Sequence, residues 1–308
     1  MSAIYGAVIA ARNAMYDGGT FRAQRLQRPV VSIGNISVGG TGKTPFTIML
    51  GELLKRRGVT FDVLSRGYRR NTSGVRVVDP HGPAGEFGDE PVLIARRLGV
   101  PVVVGERRID AGMEAERRFQ TQLHLLDDGF QHRQLARDVD IVLVSAEDVN
   151  AGLLPFGRLR EPIAALKRAD VVVVAEEFDV AALSSQPEQV WRVRRGLKLE
   201  GAAQRPVVFC GIARPEKFFS QVRGSGVEAA REVAFRDHHR YREMDVKRLL
   251  DAARETGADG FVTTAKDEIN LGTLAARLQP LRIAEVTMEL LDGEKAVDFL
   301  MKRVGVVA

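Results

Sequence analysis

The sequence has little sulfur and few aromatic anchors. Its single cysteine, Cys210, excludes an internal disulfide framework. It sits in the apolar run Val207-Val208-Phe209-Cys210, which predicts a buried, inert thiol and fits a reducing compartment. Aromatic residues make up 6% of the chain, with one tryptophan. No RNP-type aromatic motif, zinc-ligand spacing or recognition-helix pattern is present, so nothing supports a nucleic-acid partner. No run reaches the roughly 18 apolar residues that a membrane-crossing helix needs. A strong charge of either sign is also lacking: 45 Lys+Arg face 40 Asp+Glu, for a net charge of +5. That balance favours anionic partners without choosing among phosphate, anionic lipid and nucleic acid.

The 308 residues suffice for one large domain or two moderate ones, and 45% hydrophobic residues supply a core. From Pro29 the pattern is strand, turn, helix, repeated. Strand-sized apolar runs occur at Val30–Gly34, Phe61–Ser65, Val100–Gly105, Leu123–Leu126, Ile141–Ser145 and Val171–Ala175. They are continuous rather than alternating, so they predict strands buried on both faces: an α/β fold, P-loop NTPase-like, with a mostly parallel sheet flanked by helices. A polar stretch at 184–188 interrupts the series. Val190–Leu199 then alternates, predicting an exposed strand or hairpin. A second strand-helix series follows at Val207–Ile212, Glu232–Phe235, Phe261–Thr264 and Ile283–Met288. The expected organisation is an N-terminal helix over 1–28, a nucleotide-binding unit over 29–188, a β linker over 189–204 and a second, smaller α/β unit over 205–308.

At the N-terminus Ile4, Val8, Ala11 and Met15 recur at helical spacing, followed by Arg12, Arg22, Arg25 and Arg28. No basic region precedes the apolar stretch, unlike a secretory signal. The residues leave two readings open: a helix lying on an anionic membrane face, or an ordinary packed helix.

The strongest motif is Ser37-Val38-Gly39-Gly40-Thr41-Gly42-Lys43-Thr44, placed between a strand and a helix as a P-loop requires. Glycines let backbone N–H groups wrap a polyphosphate, and the helix N-terminus adds partial positive charge. Lys43 is expected at the β/γ-phosphates and Thr44 on Mg²⁺. Ser37, Gly39, Gly40, Thr41 and Gly42 complete the predicted ATP cradle, although Ser37 stands where the general pattern has glycine. Val38 replaces the lysine of partitioning-type ATPases, which disfavours a switch of that kind.

Leu123–Leu126 ends in Asp127-Asp128, a strand end that can deliver a carboxylate to the Mg²⁺ beside a P-loop. Gly129-Phe130-Gln131-His132 continues it as a loop at the carboxyl edge of the sheet, where open α/β sheets bind ligands. Asp89 or Glu90, in Gly88-Asp89-Glu90-Pro91, either caps the helix that follows or serves in catalysis. Arg236-Asp237-His238-His239-Arg240-Tyr241 offers a proton-transfer pair if the fold brings it to the P-loop, and a solvated loop otherwise. Further loops carry phosphate- and sugar-binding chemistry: Ser65–Arg70, Gly105–Arg108, Leu154–Pro162 and Thr263–Asp267.

In order along the chain, these motifs resemble the tetraacyldisaccharide 4′-kinase (lipid A 4′-kinase) family. The carriers are Val31 to Pro45, Leu64-Ser65-Arg66-Gly67-Tyr68, Gly88 to Pro91, Leu126 to His132, Leu154-Pro155-Phe156-Gly157-Arg158-Leu159-Arg160-Glu161, Phe235 to His238 and Thr264 to Asp267. Serine at position 37 belongs to that pattern too. The resemblance runs to about Leu271; later residues add no motif. It implies transfer of the ATP γ-phosphoryl group to the 4′-hydroxyl of a tetraacyldisaccharide 1-phosphate. It further implies that Asp89 assists deprotonation of that hydroxyl, that His238 pairs with Asp89, and that Asp127 and Asp128 serve Mg²⁺, the hydroxyl or both. The expected substrate contacts are Arg66, Tyr68, Arg107, Gln131, His132, Arg158, Arg160 and Glu161. The resemblance also implies a site between two α/β domains, and a peripheral or monotopic enzyme on the lipids of the cytoplasmic face of the inner membrane. The competing readings are a soluble P-loop ATPase of small-molecule metabolism and a non-enzymatic nucleotide switch.

Overall fold

The structure is a computed structural model that describes residues 1–183, 187–201 and 203–306. The interrupting stretch at 184–188 therefore lies mostly outside the described residues. The first unit contains α1 (Ser2–Asp17), β1 (Val30–Asn35), α2 (Lys43–Arg56), β2 (Phe61–Ser65), β3 (Arg76–Val77), α3 (Ala84–Phe87), α4 (Asp89–Leu98), β4 (Val102–Val104), α5 (Arg108–Arg118), β5 (Leu123–Asp127), β6 (Val139–Leu143), α6 (Ala146–Val149) and β7 (Val171–Ala175). There follow β8 (Gln189–Lys198), β9 (Val207–Cys210), α7 (Pro215–Gly224), β10 (Arg231–Ala234), α8 (Glu243–Thr256), β11 (Phe261–Thr264), α9 (Ala265–Leu271), β12 (Leu281–Leu290) and α10 (Gly293–Val304).

The strands form one mixed sheet in the order β10-β9-β11-β12-β8-β7-β6-β1-β5-β2-β4-β3. Among the described strands, only the β3–β4 and β8–β12 pairings are antiparallel. The apolar runs are buried throughout in β1, β2, β5 and β6, and β7 is buried up to Val174. Apolar side chains of α2, α4 and α10 cover one face, and those of α5 cover part of the other. Gly58, with φ 73°, follows the end of α2 in the left-handed conformation that favours glycine.

The alternating segment is a single ten-residue strand, β8, with partners on both edges, not an exposed strand or hairpin. Its first half pairs parallel with β7, Val171 to Gln189 through Ala175 to Val193. Its second half pairs antiparallel with β12, Val193 to Leu290 through Lys198 to Glu285. The start of β12, Leu281–Ala284, pairs with β11. The second parallel array thus lies beyond the carboxyl end of the first and runs back toward it, so the carboxyl edges of the two arrays face each other. The chain then returns: Ala296, Val297 and Leu300 of α10 join the core of the first unit.

Candidate active site

The P-loop leaves β1 at its carboxyl end and enters α2 at Lys43. Gly42, with φ 90° and ψ 23°, turns the chain into the helix, a conformation that favours glycine. Asn35 at the end of β1 ties the loop down: its Nδ2 donates to Thr41 Oγ1 at 2.7 Å, and its Oδ1 accepts from Lys43 Nζ at 3.3 Å. Gly39, Gly40 and Thr44 lie on the same turn. Ser37 Oγ is buried and has no hydrogen-bond partner among the described residues.

β5 runs parallel to β1 with Asp127 in register with Ile33, which sets both acids beside the P-loop. Lys43 Nζ lies 3.4 Å from Asp128 Oδ1, and Arg160 Nη1 donates to both Asp128 oxygens at 3.0 and 3.1 Å. Burial opposes ionisation of Asp128, but Lys43 and Arg160 override it and hold the carboxyl at about 2. Asp128 adopts a positive φ of 52°, which Asp tolerates better than most residues. Asp127 is the converse case. Burial, then the negative charges of Glu90 and Asp128, push its carboxyl up to about 7. One oxygen accepts from Ser65 Oγ at 3.2 Å; the other, Oδ1, is buried without a partner. A buried, unpartnered carboxylate oxygen among acids fits a hard divalent cation such as Mg²⁺.

Asp89 is the first residue of α4 and does not cap it: Gly88 is the N-cap, with no side-chain cap bond. Although Oδ1 accepts from Glu90 N–H at 2.9 Å, His238 Nδ1 lies 3.0 and 2.8 Å from the two carboxylate oxygens. Asn270 Nδ2 donates to Oδ2 at 3.0 Å. Burial would raise the Asp89 carboxyl, but the His238 hydrogen bond and the charge of Lys266 bring it down to about 2. His238 has φ 56°, which turns it toward Asp89 out of the loop after β10. Lys266 Nζ donates to Glu90 Oε1 at 2.9 Å and faces His238 Nε2 at 3.3 Å. With the carboxylate at Nδ1 and the lysine at Nε2, Nδ1–H donates to Asp89. His239 pairs instead with Asp245 at 3.1 Å and stacks on Phe235, a structural role.

The structure sorts the expected substrate contacts. Tyr68 is 53% exposed and packs edge-on against His238 at 5.4 Å. Gln131 donates to Asn35 O at 2.8 Å and accepts from Arg160. His132 is pushed down to about 4 by burial and by Arg108, Arg137, Arg66 and Arg12, so a neutral imidazole stands in a cationic recess that includes Arg66. Three of the expected contacts are engaged within the protein itself. The Arg107 side chain is 63% exposed and pairs with Asp110, because its neighbour turns inward as α5 begins. That neighbour, Arg108, is buried within electrostatic reach of Asp127, Asp128 and Arg66. Glu161 is fully buried and accepts from Asn13 and Arg168, so it anchors α1. Arg158 lies at the P-loop, where its carbonyl accepts from Val38 N–H, and its guanidinium is engaged by Glu147 and Asp148. Sequence reasoning named the segments that hold Asn35, Arg108 and Lys266 but assigned these residues no role, and it did not reach Asn270. Lys266 and Asn270 are four apart on α9 and so share a face, a signal that links the two.

α1 docks by its polar side. Ser2 Oγ donates to Leu153 O, Tyr5 Oη to Arg160 O and Arg12 Nη2 to Gln131 O. The predicted apolar stripe points outward, with Ile4 at 69% and Val8 at 61% exposure. No described helix is long and apolar enough to cross a membrane.

The tetraacyldisaccharide-1-P 4′-kinase family model matches residues 1–305. A tetraacyldisaccharide 4′-kinase of Koribacter versatilis is 47% identical, covering 98% of this chain and 97% of the relative. The enzyme of that name from Geobacter metallireducens is 39% identical over 97% and 96%. A crystal structure of LpxK from Aquifex aeolicus in complex with ATP superposes with a TM-score of 0.80 at 31% identity, covering 98% and 97% of the two chains. With a P-loop, an acid pair and a carboxylate–imidazole pair on facing sheet edges, and with these full-length matches, the chain belongs to the tetraacyldisaccharide-1-P 4′-kinase family.

Proposed function

We propose that this tetraacyldisaccharide 4′-kinase of lipid A biosynthesis transfers the γ-phosphoryl group of ATP to the 4′-hydroxyl of a tetraacyldisaccharide 1-phosphate, using Asp89 and His238 on the acceptor and the P-loop on the donor. The observation that carries this reading is the Asp89–His238 pair, built from both α/β units beside Glu90, which lies within electrostatic reach of Asp127. The P-loop amides and Lys43 hold the polyphosphate, as the ATP-bound Aquifex relative suggests. Thr44 and Asp127, with Asp128 nearby, would hold Mg²⁺, which when bound spreads the phosphate charge. Asp89 orients the 4′-hydroxyl. The bond from the γ-phosphorus to the bridging oxygen breaks, ADP leaves with the electron pair, and the bond to the 4′ oxygen forms. The hydroxyl proton passes to Asp89. A carboxylate held at about 2 is a weak base, which suits a loose transition state in which the nucleophile loses its proton late. His238, protonated on Nδ1, holds the carboxylate in place.

Residues 29–188 form the donor unit in this reading. The 205–308 unit, joined through β8, completes the acceptor side. Arg66 and His132, joined by Arg108, are suited to the substrate phosphate, and Arg160 to charge developing at the transferred group. The outward stripe of α1, with nearby arginines, suits the surface of the inner membrane, where the acylated substrate resides. The test is transfer of label from γ-labelled ATP to the disaccharide 1-phosphate in detergent micelles with Mg²⁺, comparing wild type with Asp89→Ala. Labelled lipid from wild type alone is expected. No labelled lipid from a protein that still binds ATP would sink the substrate assignment and revive the soluble ATPase.

A further inference from the structure

The P-loop is approached by cations that do not belong to its own strand-turn-helix unit. Arg214 closes the loop after β9, immediately before Pro215 opens α7. Its side chain crosses the P-loop: a Cβ placed on Gly40 would touch Arg214 Cγ and Cδ at 3.7 Å, and one on Gly39 would reach Ala213 at 3.9 Å. The second unit therefore lies against the two glycines whose N–H groups line a polyphosphate cradle. The guanidinium is held there by Glu147, whose Oε2 accepts from Arg214 Nη1 at 2.7 Å and from Arg158 Nη1 at 2.9 Å. Arg195 of β8 adds a third cation, donating from Nη2 to Thr41 O at 2.5 Å while its buried Nε has no partner among the described residues. Lys217, in the first turn of α7, is destabilised in its charged form by burial and then by Arg195, with Arg214 adding to the effect. Glu147, Asp148 and Glu177 face Arg158, Arg214, Arg195 and Lys217, so four cations meet three carboxylates and the mouth of the P-loop keeps surplus positive charge.

We propose that Arg214 is a catalytic arginine that the second unit lends to the nucleotide, exchanging Glu147 for the γ-phosphoryl group. Glu147 holds the guanidinium in this structure. When ATP fills the P-loop, its terminal phosphate offers a denser anion a short side-chain rotation away. Charge on the equatorial oxygens grows during transfer, so the contact strengthens toward the transition state. The same contact ties the β9–α7 loop to the donor unit, so bound triphosphate itself draws the two sheet edges together. This inference rests on the P-loop holding ATP.

The test compares wild type, Arg214→Ala and Arg214→Lys for affinity toward ADP and toward ADP with aluminium fluoride, a mimic of the transferring phosphoryl group, alongside kcat. Arg214→Ala is expected to keep its ADP affinity, which also reports a folded protein. It should lose affinity for the aluminium fluoride complex by on the order of 10²-fold and kcat by about 10³-fold. Arg214→Lys should recover part of the loss, and guanidinium ion should partly rescue Arg214→Ala. Unchanged affinity for the mimic, or equal losses for ADP and the mimic, would overturn the assignment. A wild-type protein whose ADP affinity does not depend on Lys43 would overturn the P-loop reading and this proposal with it.

Discussion

At the scale of single residues, burial and charge decide which acids work and which only hold structure. Asp89, Asp127 and Glu161 are all buried carboxylates, but their surroundings differ. Asp89 is ionised by His238 and Lys266, and Asp89→Asn should keep the geometry while lowering kcat by roughly 10²–10⁴-fold. A kcat within twofold of wild type would remove it from the mechanism. Asp127 has an oxygen with no partner, so Asp127→Asn should raise the Mg²⁺ concentration for half-maximal activity about tenfold or more; an unaltered Mg²⁺ titration would place the metal elsewhere. Glu161 closes an ion pair with Arg168 in the interior. Removing one partner of such a pair leaves a buried charge, at a cost of about 3–5 kcal/mol. Glu161→Ala should therefore lower the unfolding midpoint while leaving the substrate KM of the folded fraction unchanged; a raised KM at unchanged stability would restore it as a substrate contact.

At the scale of elements, two features read differently once packed. α1 has the periodicity of an amphipathic helix, but its polar side docks and its apolar side faces out. Ile4→Asp with Val8→Asp should abolish sedimentation with anionic vesicles and leave the unfolding midpoint unchanged, since neither side chain is buried. Persistent vesicle binding would move the membrane contact off this helix. β5 carries His124 beneath the active-site acids, with Nδ1 at 2.8 Å from Asp62 and Nε2 at 3.4 Å from Glu116. Burial would depress this imidazole, but Asp62 and Glu116 override it and raise it above 6.5. Its contribution to stability is thus complete below the unfolded value and is lost as pH rises through the folded one. Denaturant midpoints should fall as pH rises past the ordinary imidazole range, and His124→Gln should flatten that fall. An equally steep slope in the variant would assign the effect to other groups.

At the scale of the whole molecule, the proposed catalysis rests on two parallel arrays meeting edge to edge through β8 and β12. Lys266 and Asn270 reach from α9 across that junction to Glu90 and Asp89, and Lys266 also faces His238 on its own side. Lys266→Met should lower kcat more than it changes the KM for ATP, and Lys266→Arg should restore part of it; a pure KM effect would make the contact a matter of nucleotide binding. The sequence by itself determined the P-loop, the Asp127-Asp128 strand end and the strand-helix series, because each is written in contiguous residues whose spacing carries its own geometry. It also named Asp89 and His238, but their contact spans 149 positions, and only the register of β8 with β7 and β12 brings them together. Tertiary packing likewise turned Arg108 inward and Arg107 outward, buried Glu161 under α1, and placed Arg214 on the P-loop glycines. Local sequence fixes which groups a loop presents; which of them meet is decided by how far one half of the sheet is displaced along the other.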